Sequence, residues 1–130
     1  MNNLRNLRKK KGLSLKKLHE MTGYPLRSLE DWDSDSRLIT SYHRIKKLSE
    51  ILGCSTDEFM TKEEKCKYGD NEECTITLIQ GEDGVHITLL DNDTFDEIRK
   101  EVMSRESALK LLKIIRKKED IKPFIDSIIY

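Results

Sequence analysis

The residues able to do covalent or metal chemistry are few: Cys54, Cys66 and Cys74, with His19, His43 and His86. Thiols can ligate a soft metal, pair as disulfides or attack a substrate, and imidazoles can ligate or move protons, but each role needs partners at set spacings. The cysteines are odd in number with no CxxC pair, and the histidines lie far apart with no HxxxH. The expectation is free thiols in a reducing cell, with no metal and no cofactor. No GxSxG turn, glycine-rich phosphate loop or enforced His-carboxylate pair occurs, so catalytic residues are not expected and the chain reads as a non-enzyme.

What remains is charge. The 130 residues carry 24 Lys and Arg against 24 Asp and Glu, and a zero sum taken alone argues against a basic nucleic-acid coat. Position changes the picture. Residues 1–60 hold 12 Lys and Arg against 8 Asp and Glu, a net of about +4, and residues 61–130 hold 12 against 16, a net of about −4. Between the halves, TKEEKCKYGDNEE offers only Cys66 and Tyr68 to bury and reads as a charged linker over 61–73. The expected organisation is a domain over 1–60, that linker, and a second domain over 74–130. No apolar run approaches the roughly 20 residues that cross a bilayer. The start, Met1-Asn2-Asn3-Leu4-Arg5, lacks the apolar core of a secretory signal, and a cytoplasmic location is expected.

In the first half the periodicity is helical, in five short segments. Leu4 and Leu7 start a helix that ends near Lys11-Gly12. Ser14 is a natural N-cap for a second, with Leu15, Leu18 and Met21 inward, stopped by Thr22-Gly23. Pro25 fits the first turn of a third, with Leu29 and Trp32 inward. Thr40 or Ser41 opens a fourth, with Ile45, Leu48, Ile51 and Leu52 inward and Gly53 past its end. Ser55 to Glu58 has the spacing of a capping box and is followed at once by Phe59 and Met60, so a short fifth helix closes the unit.

The run Gly12 to Trp32, GLSLKKLHEMTGYPLRSLEDW, resembles the helix-turn-helix of the Cro/repressor (XRE) family of bacterial and phage regulators. The likeness continues through SYHRIKKLSEILGCSTDEFM to about residue 60. The resemblance implies a helix across the DNA backbone at Ser14 to Met21, a turn at Thr22-Gly23-Tyr24, and a recognition helix at Pro25 to Asp33 that enters the major groove. On that geometry Pro25, Leu26, Arg27, Ser28, Glu30 and Asp31 face DNA, with Arg27 and Ser28 reading bases or phosphates. Arg5, Arg8, Lys16, Lys17, Arg37 and Arg44 would hold phosphates. The chain departs from the family's pattern at Leu15, where glutamine is common, at His19, where a small residue is usual, and at Asp35, where the loop has glycine. It also sets Glu30 and Asp31 toward phosphate, where a carboxylate is repelled unless it accepts from a cytosine amino group.

In the second half, Cys74 to Gln80 and Val85 to Leu90 alternate and are joined by Gly81-Glu82-Asp83-Gly84, a hairpin signal. Ile76, Leu78, Val85, Ile87 and Leu89 would share one face. Residues 95–103 fit both a helix and a strand, and a third strand is favoured because a lone hairpin is marginal in water. A helix capped by Ser104 and running to about Lys118 would turn Ala108, Leu111, Leu112 and Ile115 inward, and a last helix follows Asp120. The expected fold class is an all-α five-helix N-terminal domain plus a small α+β domain, an antiparallel β-meander followed by two helices. The apolar stripe Phe124, Ile125, Ile128 and Ile129 exceeds what one small sheet face needs, which points to a homodimer through it.

The expected function is a sequence-specific DNA-binding regulator, a repressor of phage or bacterial type, whose partners are double-stranded DNA and a second copy, with no membrane. The alternative is a protein-interaction protein, an antitoxin or phage-type nuclease inhibitor that also autorepresses. Its acidic half would dock on a basic protein partner.

Overall fold

The computed structural model describes residues 2–129, with the side chains of residues 2–128. Its backbone contacts divide the chain into two compact units, Met1–Thr61 and Lys62–Tyr130.

The first unit is helical: α1 Leu4–Lys10, α2 Leu15–Thr22, α3 Leu26–Asp33, α4 Tyr42–Leu52 and α5 Thr56–Phe59. Serine hydroxyls satisfy N-terminal amides that the helices leave open: Ser14 accepts from Lys17 N, Ser41 from Arg44 N and Ser55 from Glu58 N. Gly23 ends α2 at φ +74°, a left-handed conformation that glycine adopts without a Cβ penalty. Leu4, Leu18, Leu29, Ile39, Leu48 and Phe59 are fully buried, with Trp32, Ile45, Leu52 and Met60 beside them. Each such leucine contributes about 2 kcal/mol of apolar burial. Two expectations need correction. Pro25 is the N-cap of α3 rather than part of its first turn, and Met21 is 46% exposed, because Leu18 and Thr22 take the inward stripe of this two-turn helix.

The second unit begins one residue later. Residues 61–73 are not a linker: they form strand β1, Thr61–Tyr68, a Gly69-Asp70 turn and the start of β2, Asn71–Gln80. The inward positions of β1 are Lys62, Glu64, Cys66 and Tyr68, so its alternation is mostly polar and carries no hydrophobic signal. Lys62 is buried with its Nζ 3.8 Å from Glu64. With β3, Val85–Asp91, and β4, Glu97–Met103, the strands make an antiparallel four-stranded sheet in sequence order, followed by α6, Arg105–Arg116, and α7, Lys122–Ile129. The meander therefore has one strand more than expected.

Ile76 pairs with Leu89, and Leu78 with Ile87, on a fully buried face. Ala108, Leu111, Leu112 and Ile115 of α6 are buried too, and Ile115 lines a cavity with Cys66 and Cys74, which sets α6 over that face. Ahead of α7, Ile121 N donates to Lys67 O at 3.0 Å and Asp120 accepts from Gly69 N, so the chain covers part of the β1 edge. Residues 97–103 form a strand, but Phe95 lies outside it at φ +60° and 77% exposed. There Asp91 accepts from Asp93 N and Thr94 N and folds the loop back. Helix α6 stops at Arg116, short of Lys118, which has φ +59°.

The residues of the expected dimerisation stripe differ in exposure. Ile125 is fully buried within its own unit, Phe124 and Ile128 are half-buried, and Ile129 lies with its side chain outside the described residues. The exposed aliphatics of this unit are Ile79, Ile98 and Val102, at strand positions that alternate with the buried ones. No described helix is long and apolar enough to cross a membrane.

Candidate nucleic-acid interface

A tight joint sets α3 against α2. Thr22 Oγ1 donates to Leu18 O at 2.7 Å and accepts from Tyr24 N at 3.1 Å, and Gly23 N donates to His19 O at 2.9 Å. His19, at a position where the resemblance implies a small residue, swings outward and its Nδ1 pairs with the Tyr24 carbonyl at 2.6 Å. The helix packing is therefore not opened by its bulk. Tyr24 meets Trp32 edge to face at 5.9 Å. Leu15 is half-buried against the core, a packing residue where a glutamine would reach phosphate.

With Leu29, Trp32 and Asp33 turned inward, α3 presents Leu26, Arg27 and Glu30 to solvent, and its N-cap Pro25 is exposed with them. Ser28 and Asp31 are half-buried on the same surface. Arg27 is 84% exposed, and its Nε lies 3.4 Å from one oxygen of Asp31, one helical turn along. The other oxygen of Asp31 lies 3.1 Å from Nε of Arg37, whose terminal nitrogen donates to Ser28 Oγ at 3.1 Å. Arg27, Ser28, Asp31 and Arg37 thus form one cluster. Glu30 stays exposed beside it.

Elsewhere the acid is absorbed into the fold. Asp33 is buried and accepts from Arg8 at 2.7 and 3.0 Å and from Arg5 at 3.0 Å. Burial pushes the Asp33 carboxyl up, but the bonds from Arg8 and Arg5 outweigh it and hold it below the ordinary carboxylate value. Arg8 is correspondingly raised, and its side chain is 14% exposed, so it is an internal tie rather than a phosphate contact. Asp35, where the resemblance implies glycine, has φ +57°, the left-handed region that aspartate tolerates better than most residues, and is buried against Asn2.

Lys16 and Lys17 are exposed on α2. Arg44, at the start of α4, lies over the rings of Tyr24 and Trp32 at 5.9 and 5.7 Å, and Lys47 lies over Tyr24 at 5.2 Å. These stacked cations border the joint that carries α3. Sequence reasoning missed the Arg8–Asp33 tie and the Arg37–Asp31 bridge. Arg5 and Arg8 at i, i+3 on one helix face were a signal for the first.

Cys54 belongs to the first unit, and Cys66 and Cys74 to the second. Burial pushes all three up, Cys66 to about 12, so at neutral pH the nucleophilic thiolate is suppressed.

Residues 1–65, half of the chain, match the family described as helix-turn-helix domain, and the chain belongs to that family. No curated protein and no solved structure matches it. A helix-turn-helix unit suggests a DNA-binding regulator.

Proposed function

We propose that the chain is a sequence-specific transcriptional regulator of the Cro/repressor type that represses by occupying an operator, as a dimer held through its second unit. The observation that carries this reading is the gathering of Arg27, Ser28 and Arg37 on the exposed surface of α3. B-DNA's major groove, about 12 Å wide, admits a helix, and arginine's planar fork matches the O6 and N7 acceptors of guanine. Lys16, Lys17 and Arg44 supply sequence-independent attraction to phosphate, and Glu30 accepts from a cytosine amino group. Two copies reading half-sites about one DNA turn apart would gain affinity by linkage. Selection of duplexes from a random-sequence pool tests the reading: a repeated half-site motif containing guanine is expected, and an unenriched pool contradicts it.

A second reading, a protein-interaction protein such as an antitoxin or nuclease inhibitor, draws on a different observation. Phe95, Ile79 and Val102 are exposed in a unit of net charge about −4, a surface suited to a basic, partly apolar partner. Tight binding of a protein partner with no duplex binding at low salt would favour it.

A further inference from the structure

We infer that Asp31 is a positioning residue that makes Arg27 and Arg37 act as one guanine-reading pair, an inference that rests on the DNA-binding reading above. Arg27 reaches Asp31 because residues one helical turn apart share a face. Arg37 reaches it by a different route. The chain leaves α3 at Ser34 and reverses at Asp35, and the amides of Ser36 and Arg37 both donate to the Asp31 carbonyl, at 2.9 and 3.3 Å. Asn2 anchors that reversal by donating to Trp32 O at 3.1 Å and to Asp35 Oδ1 at 3.5 Å. Both carboxylate oxygens of Asp31 therefore face a guanidinium, and Ser36 Oγ donates to one of them.

This arrangement has two consequences. A free arginine loses rotamer freedom when it docks, whereas one already braced by a carboxylate loses less, so its fork meets a base edge in a set direction. Two guanidiniums and one carboxylate also sum to a single positive charge. The phosphate backbone, whose attraction to any sequence rises with net positive charge, loses more from that lone carboxylate than guanine does, whose O6 and N7 need two aligned donors. Asp31 thus gives up attraction to every duplex and sharpens choice among them, which accounts for an acid on the helix that meets DNA.

The test uses the full chain, the duplex it selects, the same duplex with the read G·C pair changed to A·T, and a random-sequence duplex. Asp31→Asn keeps shape and removes the charge. The expected result is a preference for G·C reduced about tenfold, with binding to random duplex as tight as or tighter than wild type. Arg37→Ala should lose preference similarly, and adding Asp31→Asn to it should change preference less than Asp31→Asn alone does. Arg37 is a surface residue, so R37A decides the matter should D31N fail to fold: preference lost supports the pair, and preference kept overturns it. A D31N protein that binds all duplexes more tightly with unchanged preference shows Asp31 to be only a repelling charge and overturns the inference, while the DNA-binding reading stands. A wild-type chain that binds no duplex at low salt removes that reading and the inference with it.

Discussion

The buried Asp33 carboxylate accepts two bonds from Arg8, at 2.7 and 3.0 Å, and so ties the end of α3 to α1. Unpairing a buried ion costs about 3 kcal/mol, and Asp33→Asn should destabilise the chain by roughly that amount in urea unfolding. The pH dependence has a definite sign. Because the native carboxyl lies below its ordinary value of about 3.9, the tie stabilises fully above that value and is lost as pH falls through the depressed native one. Acid unfolding of Asp33→Asn should therefore show a shallower loss of stability below about pH 4 than wild type. Identical acid profiles would show that Asp33 adds no pH-dependent stability.

Surface cations and internal ones should separate in binding experiments. Arg27→Ala should cost about 1–3 kcal/mol on a selected duplex and relax preference at one position. Lys16→Ala or Lys17→Ala should weaken binding to all sequences alike and lower the salt slope by about 1 each. Arg8→Ala should instead lower the unfolding midpoint and leave the salt slope unchanged, since its guanidinium is engaged with Asp33.

The turn before β3 depends on one glycine. A Cβ on Gly84, at φ +142°, would lie 2.5 Å from the Met103 carbonyl oxygen. Gly84→Ala should destabilise the second unit by about 1–3 kcal/mol, measured in urea, through backbone strain and displacement of β4. A stability equal to wild type would mean the β3–β4 edge relaxes freely.

Core and surface aliphatics of the second unit predict different losses. Ile125→Ala should cost about 2–5 kcal/mol of stability, because the side chain is fully buried. Val102→Glu, at an exposed position, should leave stability nearly unchanged. Sedimentation of the same variant asks whether Val102 belongs to the proposed dimer contact: a shift to monomer says that it does.

Elements whose signals are local were legible in the sequence. Ser14, Ser55 and Ser104 cap helices at the expected places, and Gly81 to Gly84 turns the hairpin between β2 and β3. Strand β1 was not legible, because Lys62 and Glu64 occupy inward positions where a hydrophobic alternation was sought. The proposed recognition surface was legible in part. Arg27 and Ser28 follow from helical phase, but Arg37 joins them only through the left-handed Asp35 and through Asn2, which lies 33 residues before Asp35. The burial of Asp33 and Asp35 likewise depends on partners brought from the amino terminus.

DNA binding by the helix-turn-helix unit is proposed to rest on the exposed cations around α3. A titration of the full chain against random-sequence duplex over a range of salt tests it most directly. The expected result is a linear fall of log K with log salt concentration, with a slope of about −3 to −5. No binding at low salt, or affinity independent of salt, would contradict it.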